Sequence, residues 1–235
     1  MTPRERWEAR IAVVIVSYNT CAALRRCLAA LRLDTSGVRF EICVVDNASH
    51  DGSPAMVRRE FPEVRLLACK DNLGFARAMN LGLARAEADH VLWLNPDAEV
   101  APDAVEQMLA LLERHPGTGL VVPRLLEADG RLQRSLRRRS FYQPAHLLLA
   151  ASGLAAVLPR VRRSLEHDRY ADWDHAREDP VDFANGACFL LPGHVARRVG
   201  PLDERYHIYS EDMDYCERVR AAGWEVRYAP AARVR

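Results

Sequence analysis

The sequence predicts an α/β fold, a largely parallel sheet with helices on both faces, and three observations lead there. Apolar runs of strand length alternate with amphipathic stretches through the first hundred residues. Those runs are continuous in their apolar character, as in strands covered on both faces. Polar clusters follow three of them, at positions where a parallel sheet gathers its strand ends.

The elements follow in order. Residues 11–17 are a β-branched run and read as the first strand. Helical spacing of Leu24, Cys27, Leu28 and Leu31 marks a helix over 22–31. A strand at 41–46, a helix at 53–61, a strand at 64–68 and a helix at 75–86 come next. The fourth strand, 90–94, ends in Asn95-Pro96-Asp97. A helix over 102–114 starts on Pro102, stops before Pro116 and buries Val105, Met108, Leu109 and Leu112. Strand–helix alternation of this kind implies right-handed crossovers. The centre is less regular: 131–139 holds five arginines, 146–158 reads as a short helix, buried in preference to lying on a membrane surface, and 168–182 as an acidic, polar loop. A strand at 187–191, helices at 194–199 and 212–222 (the latter closed by Gly223), and a strand at 226–229 complete the chain.

Composition sets the outer bounds. The 235 residues carry 33 basic and 32 acidic side chains, and 49% are apolar. That is enough to bury a core in one domain, and it excludes disordered, collagen-like and disulfide-framework chains. A formal charge of +1 argues against nucleic acid as a partner. Lys70 is the only lysine, which we read as compositional bias. Cys21, Cys27, Cys43, Cys69, Cys188 and Cys216 show no CxxC spacing and read as small buried hydrophobes of a reducing compartment. Residues 1–10 lack the apolar core of a signal peptide, and no stretch approaches the ~20 apolar residues of a membrane span. The expectation is a cytoplasmic protein.

The chemistry sits in the polar clusters. Ser17-Tyr18-Asn19 follows the first strand without the glycines of a dinucleotide fingerprint, and no P-loop is present. A bound diphosphate would then need a cation, and Mg²⁺ or Mn²⁺ commonly takes one or two carboxylates plus phosphate oxygens. Asp97 stands where such a ligand belongs, although Asn95-Pro96-Asp97 alone equally describes a turn. Asp46-Asn47 would either cap the next helix or present Asp46 to the imide N–H of a pyrimidine, with Tyr18 packed near the base. Glu211, Asp212 and Asp214 favour a helix start, but three carboxylates in four positions exceed what capping requires. One of them would suit a general base.

In this order the clusters resemble the family-2 inverting glycosyltransferases of the GT-A fold, especially the rhamnosyltransferase-like branch. The stretches that carry the resemblance run from Val16-Ser17-Tyr18-Asn19 through Val45-Asp46-Asn47, Asn72-Leu73-Gly74-Phe75-Ala76-Arg77, Asn95-Pro96-Asp97 and Gly200-Pro201-Leu202-Asp203 to Tyr209-Ser210-Glu211-Asp212. The resemblance implies a Rossmann-like, mostly parallel sheet in a single domain over 1–235. Residues 11–100 would be the nucleotide-sugar half, and 101–235 the acceptor half with its irregular segment 131–182. It also implies roles. Asp46 recognises the base, and Ser17, Tyr18 and Asn19 line the nucleoside pocket with Asn47. Asn72, Gly74, Arg77 and Asn80 form the donor loop and helix start. Asn95 and Asp97 stand in for the DxD-type motif, with Asp97 on the metal. Asn185, Gly186 and Glu211 lie beside the donor sugar or acceptor, and Asp212 is the catalytic base.

The implied reaction is inverting transfer from a nucleotide-diphosphate sugar, with deoxythymidine-diphosphate rhamnose the first donor to test, to a glycan or lipid-linked glycan of the cell envelope. Relatives often carry a histidine just past the last strand, near the metal. Here Val234-Arg235 stands at about that point, which implies either a piece of a longer chain or a metal site one ligand short. Arg131, Arg134, Arg137, Arg138 and Arg139 would meet a lipid diphosphate or an anionic membrane surface, or would form a solvated face; His167, His175 and His207 read as surface or loop residues. Peripheral contact with the inner membrane face is part of this expectation. Two rivals remain: a sugar-nucleotide pyrophosphorylase, for which the loop 17–22 lacks a Gly-rich signature, and a non-catalytic transferase-like binding domain.

Overall fold

A computed structural model describes residues 10–138, 144–168, 170–171 and 173–235. Ten strands and eight helices are described. The first half holds β1 (Arg10–Ser17), α1 (Cys21–Arg32), β2 (Arg39–Asp46), α2 (Ser53–Glu60), β3 (Arg65–Ala68), α3 (Phe75–Leu83), β4 (His90–Leu94) and α4 (Ala104–Arg114). The second half holds β5 (Thr118–Leu125), β6 (Leu136–Arg137), α5 (Pro144–Ala151), α6 (Pro159–Asp168), β7 (Asp179–Val181), β8 (Phe183–Ala184), β9 (Cys188–Pro192), α7 (Gly193–Val199), α8 (Glu211–Ala221) and β10 (Glu225–Val234).

Eight strands form one sheet in the order β3-β2-β1-β4-β9-β5-β10-β7, and β6 pairs with β8 beside it. β3, β2, β1 and β4 are parallel, as are β5 and β10; β9 runs against both β4 and β5. Side-chain alternation along β1 divides the core. Ile11, Val13 and Ile15 face α1, α2 and α4, while Val14 and Val16 face α3 and α8. Both faces are therefore apolar, which explains the unbroken β-branched run. Trp93 is the largest fully buried side chain and packs on Phe75, Phe189 and Tyr215 at centroid distances of 5.5, 5.1 and 6.1 Å. All six cysteines are free, and Cys27, Cys43, Cys188 and Cys216 are buried.

Three expectations about the second half are corrected. Thr118–Leu125 is a nearly fully buried strand that the sequence pattern did not reveal, since its run carries Gly119 and Pro123, residues disfavoured in strand interiors. β10 extends well past 226–229, through Pro230, with a register shift against β5 between Ala229 and Arg233. The apolar segment 146–158 is not a buried helix: α5 ends at Ala151, a 3-10 turn follows over Leu154–Ala156, and Leu148, Val157 and Leu158 are exposed. Among the described residues, no helix is long and apolar enough to cross a membrane.

Candidate active site

The carboxyl ends of β1, β2 and β4 open onto a cavity of about 440 Å³. Its walls are Tyr18 after β1, Asn47 after β2, Asn72 and Gly74 before α3, Asn95-Pro96-Asp97 after β4, and His207-Ile208 ahead of α8. Side-chain-to-backbone bonds fix the loops. The Asn47 side-chain amide donates to Asn72 Oδ1 (2.9 Å) and accepts from the Leu73 N–H (2.8 Å). Asn19 binds the β2 loop twice, its own N–H donating to Ser49 Oγ (2.9 Å) and its Oδ1 accepting from the His50 N–H (2.8 Å). Asn19, Ala48, Tyr209 and Ser210 all hold positive φ (54, 68, 69 and 73°), a conformation unfavourable to L residues. Such strain gathers where surrounding structure enforces a site.

Asp46, the last residue of β2, is 2% exposed and is not part of the cavity wall, although Asn47 after it is. Its Oδ2 accepts from the Ser49 N–H (3.0 Å), while Oδ1 is buried and meets no donor among the described residues. A buried acceptor without a partner costs roughly 1–3 kcal/mol, a cost that a ligand N–H would remove. Ser17 is fully buried, its Oγ 2.8 Å from Thr20 Oγ1, and Tyr18 is 46% exposed with its ring on the cavity wall.

Asp212 stands in the first turn of α8 with both oxygens held by backbone. The Gly186 N–H donates to Oδ2 (3.0 Å) and the Met213 N–H to Oδ1 (2.8 Å). Each oxygen keeps lone-pair capacity for a further proton. Burial raises its pKa above the usual aspartate value, against the lowering effect of those two amides. Neighbouring Glu211 is buried, has an unpartnered Oε2 among the described residues, and is also shifted upward, by burial first and by the Asp212 charge in smaller part.

Asp212 and Asp97 share one edge of the sheet. The Asn95 N–H donates to Ala187 O (2.8 Å) at the point where β9 pairs with β4, and Gly186 is the next residue back. Asp212 itself does not line this cavity; Ile208, four residues earlier, does. A Cβ on Gly186 would stand 3.0 Å from Asp212 Cβ and from Trp93 Cζ2, a tight contact that the missing side chain relieves where the chain passes the carboxylate.

The residues suit a divalent cation. Asp97 is exposed at the cavity wall beside the amide of Asn95. Among the described residues no three His, Cys, Asp or Glu side chains form a cage. One carboxylate facing room for phosphate oxygens and water is the oxygen-rich, partly open donor set that Mg²⁺ or Mn²⁺ accepts.

The other expected site residues fall as follows. Gly74 is buried in the cavity wall, whereas Arg77 is exposed on α3 and is not part of that wall. Asn80 does not reach the cavity: it accepts from the Leu202 N–H (2.8 Å) and donates to Leu202 O (2.9 Å), anchoring the loop before α8. Asn185 is exposed, its N–H bound to Ser135 O (3.0 Å). Of the histidines read as surface or loop residues, His207 is an exposed loop residue, as expected, and lines the cavity, whereas His175 lies in a loop but is buried against Trp173 and Tyr228. Nothing in the sequence spacing points to His207 because its neighbour in space, Gly74, is distant in sequence. Arg137 donates to Arg134 O and Leu136 O, and Arg138 lies over the Tyr170 ring; Arg139 lies outside the described residues.

Comparisons with known proteins agree with this fold. The family model described as Glycosyl transferase family 2 matches residues 12–172. An N-acetylglucosaminyl-diphospho-decaprenol L-rhamnosyltransferase of Mycobacterium tuberculosis is 33% identical over 237 residues, covering 95% of this chain and 75% of that protein. A low-salt glycan biosynthesis hexosyltransferase of Haloferax volcanii is 24% identical, over 89% of this chain and 61% of its own. Among solved structures, a mannosyltransferase of Pyrobaculum calidifontis in complex with GDP-Man and Mn²⁺ superposes with a TM-score of 0.64 at 19% identity, over 97% of this chain and 57% of that one. TarS of S. aureus in complex with UDP gives a TM-score of 0.63 at 14% identity, over 93% and 57%. The chain thus spans a little over half the length of these solved relatives.

Proposed function

Since the chain belongs to glycosyl transferase family 2, we propose that it moves a sugar from a nucleotide-diphosphate donor to a hydroxyl of a lipid-linked glycan, inverting the anomeric carbon, in cell-envelope polysaccharide synthesis. The observation that carries this reading is Asp212, its carboxylate aimed by the Gly186 and Met213 amides at the sheet edge that also holds Asp97. The mycobacterial relative's name supports rhamnose as the sugar and an N-acetylglucosaminyl-diphospho-lipid as the acceptor. That acceptor favours a cytoplasmic protein working at the inner face of a membrane.

In this reading the free Oδ1 of Asp46 accepts the base N–H, and Tyr18 covers the base. Asp97 would hold the cation, with Asn95 two residues before it on the same cavity wall, and the cation would supply positive charge against the diphosphate. Asp212 takes the proton of the acceptor hydroxyl as that oxygen attacks from the face opposite the leaving group. A carboxylate with a raised pKa is a stronger base than an exposed aspartate, so burial serves the proton transfer. Fixed geometry at both substrates supplies further acceleration. The test is sugar transfer from nucleotide-diphosphate donors to a diphospholipid-linked N-acetylglucosamine acceptor, with product stereochemistry read by NMR. Retained anomeric configuration, or turnover unchanged in Asp212→Asn, would overturn the reading.

A further inference from the structure

The exposed apolar residues are unevenly distributed. Eight large hydrophobic side chains stand exposed among the described residues, and Leu148 (72%), Leu154 (40%), Val157 (71%) and Leu158 (46%) come from one short hairpin, α5, the 3-10 turn and the start of α6. α5 has no charged residue, and α5, the turn and α6 pack on one another. A helix apolar all round is ordinarily buried in protein or lipid. Here its flank is solvent.

Charge is concentrated at the same place. Residues 131–165 contain eight arginines and no aspartate or glutamate, within a chain whose formal charge is +1. Arg160, Arg162 and Arg163 are exposed directly after the apolar turn. Arg163 and Arg134 line a cavity of about 540 Å³ that joins the two ends of the basic stretch. Two ion pairs of this stretch, Arg131 with Asp129 and Arg162 with Glu166, are exposed and weakened by solvent. The stretch is also tied to the active site. Ser135 O holds the Asn185 N–H, and Gly186 holds Asp212.

We propose that the hairpin 144–163 docks the protein on an anionic phospholipid bilayer, Leu148, Leu154, Val157 and Leu158 entering the acyl boundary while Arg160, Arg162 and Arg163 lie at the phosphates. Apolar area plus basic charge is the combination by which interfacial helices hold to anionic membranes. A free anion or a nucleic acid would use the arginines and leave the aliphatic side chains in water. The proposal rests on the lipid-linked acceptor reading for its purpose, and the surface itself is read from exposure and charge.

The test is flotation of the full 235-residue chain with vesicles of phosphatidylcholine alone or mixed with phosphatidylglycerol. The protein should float with the anionic vesicles only, and less at high salt. Leu148→Asp with Val157→Asp, and separately Arg160→Glu with Arg162→Glu and Arg163→Glu, should each lower partitioning roughly ten-fold or more. Val157→Trp should gain emission quenched by brominated lipids, beyond the wild-type signal, which surface attraction alone would not give. Circular dichroism and turnover on a soluble acceptor lacking the lipid should match the wild type. Failure to float, absence of added quenching, or light scattering that shows a dimer dispersed by Leu148→Asp with Val157→Asp would overturn the proposal. So would equal binding to duplex RNA that those two substitutions leave intact. If the wild type floats but transfers no sugar, the functional reading fails and the docking surface stands.

Discussion

The imidazole of His207 lies against Gly74, so that a Cβ at Gly74 would stand 2.6 Å from His207 Nδ1 and 2.9 Å from its carbonyl oxygen. The same carbonyl accepts the Phe75 N–H at 2.8 Å, at the start of α3. The loop ahead of α8 is thus seated on the donor loop through one glycine, held at φ 80°.

Gly74→Ala should therefore act twice, through strain at positive φ of roughly 1–3 kcal/mol and through displacement of His207 from the cavity wall. Thermal melts should show the stability loss. Calorimetry should show weaker nucleotide-diphosphate binding in the variant, whereas His207→Ala in the same background should recover part of it.

Asp212→Asn should cut turnover by roughly 10²–10⁴, the usual contribution of a general base, with donor affinity almost unchanged. Because burial raises the Asp212 pKa, the wild-type rate should climb through the acid range with a midpoint above that of an ordinary aspartate at ~4. A pH profile of kcat/KM checks this, and the Asn variant should lose that limb.

Glu211→Gln should raise thermal stability near neutral pH. The carboxyl holds its proton more tightly in the folded chain than in the unfolded one, because its ionised form is buried without a partner at Oε2. Stability linked to it is therefore intact below the unfolded value of ~4.3 and is lost as pH rises through the elevated folded value. Melts of both proteins across that range should separate at neutral pH and converge in acid. If Glu211 also touches a substrate, activity will fall as stability rises.

Asp97→Ala should remove the Mn²⁺-dependent part of donor binding, and chelation of the cation should do the same to the wild type. Titration calorimetry with and without Mn²⁺ distinguishes the two states. Identical donor affinity in all four conditions would dismiss Asp97 as a ligand.

The first half was legible because burial on both faces leaves an unmistakable apolar run, as at Ile11–Val16, and because helical spacing in α1 repeats without interruption. The second half hid its strands behind local contradictions. Thr118–Leu125 is almost wholly buried yet carries Gly119 and Pro123, and β10 accommodates Pro230 through a register shift. The segment 146–158 misled for the opposite reason: apolar composition resembles a core element whether or not the protein covers it. At the cavity, residues that stand at their own strand end were readable as such, as with Asn47 after β2 and Asp97 after β4. His207 depends on a neighbour more than a hundred residues away, and Asn80 exchanged an expected ligand role for a bond to Leu202 across a similar gap.

The reversed direction of β9 has an architectural consequence. A strand that runs against β4 begins at the edge where β4 ends, so the segment between β5 and β9, which adds β7 to the far side of the sheet beside β10, comes back in at the edge that holds Asn95-Pro96-Asp97. That excursion is a cassette. Under the function proposed above, a change in its length or chemistry would be felt on the acceptor side while the ends of β1, β2 and β4 kept their places.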